Sequence, residues 1–502
     1  MSKLQHFPTT DYFHTIQQFE EQNHQSQDSY KKGVVYTNKD IAHEMIELLA
    51  PQLHETIFEP SCGAGVFLIA LLDYMKKQHN PSTAKILDYV ENKLFFSDID
   101  GEALEHSICI VSLWLKENYG LLNVKLKYKN EDSLTCKIEF DLIFGNPPYI
   151  RLQNLENKYR SFLRDHYQYC RNGNIDIYYA FIELAKRYST RSVLIIPNSY
   201  LTNSSAKLLR ADIASDVVSI KDHKDSKQFN NASTYTSILQ LNKGACGDIL
   251  YASDHVYSSI SRNKLQKDGW YLDSSPHQNK NRSKTLSVIA DVYCGINTNA
   301  DKAFMLSKTT LHNGYYTKLH NGIEYLIEEG ITVSIKKISR LLGKHKQDDI
   351  VIIFPYKNIN NVLHEDELKN KYPYAYKYLS DIREDILDKR DNGQVQKYSS
   401  WYSYGRKQGF NIDFTNSKLF LIPDSYKTDN FIYKKMTPTD RFLHVSGYVI
   451  VPKKDHEEEV QGILNSKKFQ EHLKIYGKTL VGGYTKINTK LIKEYCLFTS
   501  IF

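Results

Sequence analysis

The sequence predicts an α/β protein with a doubly wound sheet, followed by a C-terminal domain of mixed α+β structure. Short apolar segments alternate with longer amphipathic segments between residues 31 and 244. This alternation is typical of a mainly parallel sheet that is covered by helices on both faces. After Gly244 the alternation stops, and the chain becomes basic, aromatic and irregular, with short strand-like segments. A length of 502 residues suits two or three domains.

Three regions are expected from these changes in pattern. Residues 1–30 are polar and rich in Gln and His, and they form an N-terminal arm of helical character. Residues 31–244 form the sheet domain. Residues 245–502 form the second domain, with the boundary at the Gly244-Ala245-Cys246-Gly247 sequence.

The predicted elements of the sheet domain follow one another in regular order. A first helix begins near Asn38, where Thr37 or Asn38 is the candidate N-cap and Asp40 favours the first turn. The predicted strands cover residues 56–59, 94–98, 141–144, 192–196 and 237–241. The predicted helices cover residues 66–77, 103–118, 175–188 and 205–215. In sheets of this kind, ligands bind beyond the carboxyl ends of the strands.

Charge is divided unevenly between the two domains, although the whole chain carries only +7. Residues 1–244 hold 27 Lys and Arg against 29 Asp and Glu, a net charge of −2. Residues 245–502 hold 38 against 29, a net charge of +9. A polyanionic partner is therefore expected to be held mainly by the second domain.

The cysteines and the apolar segments indicate a reducing, cytoplasmic compartment. The seven cysteines include no C-x-x-C pair, so neither a disulfide framework nor a metal site is expected. No apolar segment approaches the ~20 residues that span a bilayer. Residues 1–30 have no signal-peptide core.

The loop after the first predicted strand is a candidate cofactor site. It reads Phe58-Glu59-Pro60-Ser61-Cys62-Gly63-Ala64-Gly65. Small residues let the backbone pass close to a ligand, and glycine permits the positive φ that a tight turn needs. The loop matches neither the G-x-G-x-x-G pattern nor the Gly-Lys-Ser/Thr pattern of phosphate loops, which disfavours a pyrophosphate ligand.

Two acidic positions extend this candidate site. The next strand ends in Phe96-Ser97-Asp98-Ile99-Asp100, where a carboxylate can accept both hydroxyls of a ribose. Helix capping is the alternative role for Asp98 or Asp100. Asp132 precedes the following strand and is a candidate acceptor for an adenine amino group, with a turn aspartate as the alternative.

The strongest motif is Asn146-Pro147-Pro148-Tyr149, which follows the predicted strand at 141–144. The two prolines end the strand and fix φ, so the turn is rigid. The side-chain oxygen of Asn146 and the carbonyl of Pro147 are candidates to accept the two protons of an adenine amine and to localise its lone pair. Tyr149 can stack on the base, which must first leave the duplex. A purely structural turn is the alternative.

With these motifs the sequence resembles the adenine-N6 DNA methyltransferases of the gamma class. In that class the cofactor motifs precede the catalytic tetrad, and a target-recognition domain comes last. The resemblance covers residues 31–244 closely and the C-terminal region more loosely. It implies a methyltransferase sheet that binds S-adenosylmethionine, double-stranded DNA as the partner, and methyl transfer to the N6 amine of a flipped adenine.

The resemblance also implies roles for individual residues. Tyr36 and Thr37 match the first cofactor motif, and the loop from Glu59 to Gly65 matches the segment around the methionine moiety. The implied cofactor-binding residues are Tyr36, Thr37, Glu59, Pro60, Cys62, Gly63, Gly65, Asp98, Ile99, Asp132 and Asn146. The implied catalytic residues are Asn146, Pro147, Pro148 and Tyr149. Phe229 resembles the aromatic residue that encloses the target base against Tyr149, with core packing as the alternative.

In the second domain, segments 295–304, 354–358 and 482–486 resemble recurrent segments of recognition domains. The candidate DNA contacts are basic residues of this region, namely Lys357, Arg383, Arg390, Arg406, Lys407 and Lys486. Trp401, Tyr402 and Tyr404 interleave with this basic region and are candidates for stacking or insertion.

Other functions share parts of this pattern. The same tetrad occurs in methyltransferases that act on a protein glutamine or on ribosomal RNA, and cytosine-N4 methylation uses similar chemistry. A catalytically silent DNA-binding subunit is the non-enzymatic alternative. The charge division favours DNA, and Asn146 at the first tetrad position favours adenine. We expect a monomer in the bacterial or archaeal cytosol, associated with the nucleoid. We expect it to act as a restriction-modification methyltransferase with a separately encoded endonuclease, or as an orphan.

Overall fold

The computed structural model describes residues 11–24, 37–173, 175–224, 235–253, 256–272, 284–306, 311–342, 350–358, 361–393, 398–406, 414–440, 442–480 and 482–497. The chain divides into two compact units, Met1–Ser274 and Ser275–Phe502. Within the described ranges, no helix is long and apolar enough to cross a membrane.

A nine-stranded sheet forms the centre of the first unit. Its strands are β1 (Ile57–Glu59), β2 (Leu94–Ser97), β3 (Lys127–Lys129), β4 (Phe140–Gly145), β5 (Ser189–Pro197), β6 (Val217–Asp222), β7 (Thr236–Asn242), β8 (Ile249–Ser253) and β9 (Val256–Ile260). Their spatial order is β3-β2-β1-β4-β5-β7-β6-β8-β9. Neighbouring strands in the β3-β2-β1-β4-β5 part of this order pair in parallel. Strand β7 is antiparallel to both β5 and β6.

The helices of the first unit are α1 (Tyr12–His24), α2 (Lys39–Leu49), α3 (Val66–His79), α4 (Thr83–Asn92), α5 (Gly101–Tyr119), α6 (Asn157–His166), α7 (Tyr178–Tyr188) and α8 (Lys207–Ile213). Asn38 caps α2, because its side chain accepts a hydrogen bond from the Asp40 backbone amide. Alternate residues of β4 belong to different hydrophobic clusters, with Ile143 in one and Leu142 and Phe144 in the other. Both faces of the sheet are therefore covered, as the apolar strands predicted.

The first unit extends beyond the boundary predicted at residue 244. Strand β8 pairs in parallel with β6, and β9 pairs antiparallel with β8, so both strands continue the same sheet. Gly244 and Gly247 have φ values of 72° and 78° and lie in the connection between β7 and β8. The glycines that indicated a domain boundary thus belong to a turn within the sheet, because turns and domain linkers use the same residue types.

The second unit contains smaller sheets. Its strands are β10 (Ala290–Cys294), β11 (Met305–Leu306), β12 (Tyr315–His320), β13 (Ile323–Glu328), β14 (Thr332–Lys337), β15 (Ile350–Ile353), β16 (Tyr356–Asn358), β17 (Asn361–Val362), β18 (Leu419–Pro423), β19 (Ser425–Lys427), β20 (Lys434–Met436), β21 (Leu443–Val445), β22 (Gly447–Pro452), β23 (Lys478–Leu480) and β24 (Tyr484–Lys486). Four-stranded sheets form in the orders β10-β22-β18-β20 and β11-β15-β14-β21.

Helices are interspersed with these strands, as expected for a mixed α+β domain. They are α9 (Leu286–Ile289), α10 (Asp301–Phe304), α11 (Ile338–Leu341), α12 (Glu365–Lys371), α13 (Pro373–Asp381), α14 (Glu457–Asn465), α15 (Lys467–Tyr476) and α16 (Thr489–Lys493). The predicted fold class, a doubly wound α/β sheet followed by mixed α+β structure, is confirmed.

A buried histidine lies in the second unit. His444 in β21 is 1% exposed, and the rings of Phe414 and Phe442 lie 5.9 and 6.4 Å from it, centroid to centroid. Burial among these groups lowers the pKa of His444 to about 4. The neutral ring is therefore part of the folded core.

The depressed pKa of His444 predicts that the second unit loses stability in acid. The unfolded chain takes up a proton near pH 6.5 while the folded ring stays neutral, so the free energy of unfolding decreases as the pH falls from 6.5 towards 4. The loss is at most about 3 kcal/mol. Urea unfolding at pH 7.5 and pH 5 should show a smaller pH effect for His444→Leu than for the wild type. An equal pH effect in both proteins would contradict this assignment.

Candidate active site

Three loops meet at the carboxyl edge of the sheet in the first unit. Strand β1 pairs in parallel with β2 on one side and with β4 on the other, with Glu59 opposite Phe96 and Phe58 opposite Ile143. Parallel strands end at the same edge, so the segments that follow them are neighbours. The cofactor loop (residues 59–65), the acidic segment 98–100 and the tetrad 146–149 are thereby brought together.

Asn146 is fixed from two sides. Its side-chain nitrogen Nδ2 donates to Thr37 Oγ1 at 3.0 Å, and its backbone carbonyl accepts from Ser61 Oγ at 3.1 Å. The first bond turns the side-chain oxygen Oδ1 away from Thr37. The second bond ties the tetrad to the cofactor loop. The sequence predicted roles for Asn146 and Thr37, but their contact across 109 residues is decided by the fold.

Tyr149 is fixed at its hydroxyl. The hydroxyl donates to the backbone carbonyl of Ile195 in β5 at 3.1 Å. Its ring meets the ring of Tyr178 edge-on, with centroids 6.3 Å apart. Tyr178 is completely buried at the start of α7. The orientation of the Tyr149 ring is thus set by a strand and a helix that lie outside the tetrad.

Glu59 is a buried carboxyl group at the end of β1. It has 0% exposure, and neither carboxylate oxygen has a hydrogen-bond partner among the described residues. Burial raises the pKa of Glu59 well above its usual range, and the negative charge of Asp98 adds to this effect. A buried carboxylate without partners is costly, so the position suits a ligand that brings a cationic or hydrogen-bond-donating group.

The cofactor loop is held by serine hydroxyls that donate to its backbone carbonyls. Gly63 and Gly65 have φ values of 51° and 98°, in the region that favours glycine. The carbonyl of Pro60 accepts from Ser133 Oγ at 2.6 Å, and the carbonyl of Gly63 accepts from Ser107 Oγ at 2.7 Å. A Cβ atom at Gly63 would meet no heavy atom of the described residues within 4 Å, so the loop borders open space in this part of the structure.

Asp98 and Asp100 have different roles in the structure. Asp98 accepts from the backbone amides of Gly63 at 2.8 Å and Asp100 at 2.9 Å, so it bridges the acidic segment and the cofactor loop. Asp100 caps helix α5, as the alternative interpretation predicted. Burial raises the pKa of Asp98. Ile99 lies between these two half-buried acids and is 73% exposed.

The Asp132 carboxylate also accepts two hydrogen bonds. Its Oδ1 accepts from the backbone amide of Leu134 at 2.9 Å, and its Oδ2 accepts from the hydroxyl of Tyr159 in α6 at 2.7 Å. The carboxylate thus acts as a turn residue and is oriented by a tyrosine that sequence reasoning missed. No motif marks Tyr159, because it reaches Asp132 only when α6 packs beside the sheet.

Some predicted site residues lie outside the described ranges. These are Tyr36, Phe229 and Lys407. Their assignments stay predictions.

The buried thiol of Cys62 is part of the cofactor loop, and burial raises its pKa well above the usual range, so it remains a neutral packing group.

The structure of the second unit contradicts the prediction that Arg390 contacts DNA. Arg390 is 4% exposed, and its guanidinium donates to the backbone carbonyls of Leu387, Ser403 and Trp401 at 2.8, 2.6 and 2.5 Å. These bonds connect Leu387 to the segment that contains Trp401 and Ser403. The charge is therefore enclosed by the fold and does not reach a phosphate.

The predicted stacking roles of Tyr402 and Tyr404 are corrected for the same reason. Each tyrosine is 2% exposed. Their hydroxyls donate to the carbonyls of Leu363 at 2.6 Å and Ile353 at 2.5 Å. Trp401 remains half-buried, with the Arg383 guanidinium 4.9 Å above its ring.

The four other candidate DNA contacts within the described ranges are exposed. Arg406 and Lys486 lie at the surface. Lys357 pairs with Glu367 at 2.5 Å, and Arg383 pairs with Asp388 at 3.2 Å. An ion pair neutralises part of the positive charge, so Arg406 and Lys486 fit a phosphate contact better than the other two.

Comparisons with known proteins show that parts of the chain are similar to restriction-modification enzymes. The family described as Eco57I restriction-modification methylase matches residues 91–229. The Type II restriction enzyme and methyltransferase RM.Eco57I of Escherichia coli is 24% identical, over 73% of this chain and 41% of its own length. The Type II methyltransferase M.BanIII of Aneurinibacillus aneurinilyticus is 23% identical, over 88% of this chain and 83% of its own length.

A solved structure supports the fold. The Type IIL restriction-modification enzyme MmeI, whose structure was solved in complex with DNA, superposes with a TM-score of 0.59 at 13% identity. The match covers 98% of this chain and 69% of MmeI. At this identity the likeness shows the shared fold of both units.

The cofactor loop predicts a difference between two glycine substitutions. In Gly65→Ala the new Cβ would meet Ser107 Oγ at 3.0 Å and Ile110 Cγ2 at 3.1 Å, at a φ of 98°. We expect this variant to lose about 2 kcal/mol of unfolding free energy, whereas Gly63→Ala, with open space around it, should lose about 1 kcal/mol. Urea unfolding of the two variants measures both values. Equal losses would show that close packing against α5 is not what requires Gly65.

Proposed function

We propose that this chain, a methyltransferase of the restriction-modification type, transfers the methyl group of S-adenosylmethionine to the N6 amine of an adenine in DNA. The observation that carries the proposal is the placement of Asn146 at the carboxyl end of β4. There the Thr37 contact at 3.0 Å orients its amide, and the Ser61 contact joins it to the cofactor loop.

The residues around the cofactor loop fit S-adenosylmethionine. The carboxyl of Glu59, which has no hydrogen-bond partner among the described residues, suits the ammonium group of the methionine moiety, which would compensate the cost of its burial. Asp98 uses one lone pair on each oxygen for the Gly63 and Asp100 amides and keeps a second for the ribose hydroxyls. Exposed Ile99 offers an apolar surface for the adenine ring, and Asp132 offers an acceptor for its amino group. When bound, S-adenosylmethionine supplies the electrophilic methyl group.

The chain's own residues prepare the amine. Its lone pair is delocalised into the purine ring, so an acceptor at each of the two N–H bonds favours the tetrahedral form in which the lone pair is localised. Asn146 Oδ1 and the Pro147 carbonyl are these acceptors. A strong base is not required, because the proton becomes acidic only as the new C–N bond forms. Tyr149, oriented by the Ile195 carbonyl, stacks on the base after it has left the duplex.

We assign DNA binding mainly to the second unit. Residues 275–502 hold 35 Lys and Arg against 25 Asp and Glu, a net charge of +10, whereas residues 1–274 hold 30 against 33, a net charge of −3. A positive surface attracts the phosphate backbone and releases its counterions. A restriction endonuclease on a separate chain, a monomeric enzyme and a cytoplasmic location are parts of the same proposal.

Replacing Asn146 tests the chemistry. In Asn146→Ala, the loss of one acceptor should lower kcat by at least about 100-fold. The dissociation constant for S-adenosylmethionine, measured by calorimetry, should change less than about threefold because Glu59, Asp98 and Asp132 remain. The matched control is Asn154→Ala, at a neighbouring exposed asparagine of a short 3-10 helix, and it should retain activity.

The product identifies the target atom. Digestion of methylated DNA to nucleosides, followed by mass spectrometry, should yield N6-methyladenine. Recovery of N4-methylcytosine, or methylation of RNA or protein but not DNA, would contradict the proposed substrate. Full activity of Asn146→Ala would contradict the catalytic assignment.

Replacing two lysines tests the DNA-binding surface. Lys486→Ala should weaken DNA binding at all sequences and lower the slope of log K against log salt by about 1, because one phosphate contact is lost. Lys357→Ala should have a smaller effect, since Glu367 already pairs with that charge. Fluorescence anisotropy with labelled duplexes at several salt concentrations measures both slopes. Unchanged binding by Lys486→Ala would remove this residue from the interface.

A further inference from the structure

We propose that helix α1 supports the cofactor site, because it positions the His106 side chain, which bonds to the cofactor loop. The inference rests on the proposed function, since it takes that loop to bind S-adenosylmethionine. Phe19 of α1 stacks on His106 of α5, with ring centroids 4.3 Å apart and planes inclined by 29°. His106 Nδ1 lies 2.9 Å from the backbone carbonyl oxygen of Ala64 in the loop. One chain of contacts therefore joins the N-terminal helix to the loop.

The contact between His106 and Ala64 has a defined chemistry. A carbonyl oxygen only accepts, so Nδ1 of His106 carries the hydrogen and donates it. Burial lowers the pKa of His106, which keeps the ring neutral and leaves its proton on the nitrogen that faces the loop. The ring must keep its rotamer for this bond to persist, and the face of Phe19 restricts the space in which it can turn.

The loop depends on α5 at two consecutive residues. His106 holds the carbonyl of Ala64, and Ser107 Oγ donates to the carbonyl of Gly63 at 2.7 Å. Ser107 is completely buried and is fixed by the helix itself, whereas His106 is half-buried and gains its ring contact from α1. The contribution of α1 is therefore concentrated in His106.

The remaining contacts of α1 supply a matched control. Phe13, six residues earlier in the same helix, lies against His43 of α2, with centroids 5.2 Å apart. His43 contacts the Lys39 carbonyl at 2.9 Å and Asp73 at 3.7 Å, both away from the cofactor loop. Phe13 and Phe19 thus anchor one helix through similar aromatic contacts, but only Phe19 touches a residue that bonds to the loop. Loss of either ring should weaken α1 to a similar degree.

The experiment compares Phe19→Ala with Phe13→Ala in the full chain. Calorimetry with S-adenosylmethionine should give a dissociation constant about threefold to tenfold higher for Phe19→Ala, the range expected for losing one positioned hydrogen bond. Phe13→Ala should stay within about twofold of the wild type. In Phe19→Ala the KM for S-adenosylmethionine should rise while kcat at saturation is retained. Hydrogen exchange of the ligand-free protein should be faster at residues 61–65 in Phe19→Ala than in Phe13→Ala.

Two substitutions at His106 separate the hydrogen bond from folding. His106→Phe keeps a ring for stacking but has no donor, so it should reproduce the weaker binding of Phe19→Ala. His106→Asn offers its amide nitrogen in place of Nδ1 and should bind S-adenosylmethionine more tightly than His106→Phe. Equal affinities of Phe19→Ala and Phe13→Ala, or wild-type affinity of His106→Phe, would overturn the inference. A wild-type protein that does not bind S-adenosylmethionine would overturn the proposed function, and this inference with it.

Discussion

Parallel pairing of β1 with β2 and β4 is the constraint on which the site depends. It makes three strands end at one edge, so the loop after each strand reaches a common space. The tetrad, the acidic segment and the cofactor loop are separated by more than 30 residues in the chain, and no local interaction brings them together. The hydrophobic residues of these strands, buried on both faces, hold this arrangement.

Charge at this edge is balanced by the backbone more than by ion pairs. The carboxylate of Asp98 is stabilised by two backbone amides, and that of Asp132 by one amide and one tyrosine hydroxyl. Glu59 has no such partners among the described residues, and its raised pKa reflects this. Within this group of acids, Glu59 therefore has the largest free energy to gain from a ligand that carries a positive charge.

Residues that support the site from outside are spread over several helices. Tyr159 in α6 orients Asp132, Tyr178 in α7 limits the Tyr149 ring, and His106 in α5 holds the loop. The N-terminal helix belongs to this supporting layer through Phe19. The site is thus built from conspicuous residues on loops and from ordinary aromatic and polar residues on helices, which make the loops rigid.

The sequence by itself determined the α/β class and the positions of the main strands along the chain, and it identified residues 59–65 and 146–149 as candidate site segments, because each depends on periodicity or on residues adjacent in the chain. It also predicted a helix cap at Thr37 or Asn38, a local interaction, and the structure selects Asn38. Tertiary structure decided what is buried and what meets across the chain. It enclosed Arg390, Tyr402 and Tyr404, which have the composition of a DNA-binding surface but bond to backbone carbonyls. It added β8 and β9 to the sheet beyond glycines that resemble a linker. It also brought Thr37 to Asn146 and Tyr159 to Asp132. The residue type determines which hydrogen bonds a side chain can make, but the packing of the whole chain determines which partner it meets.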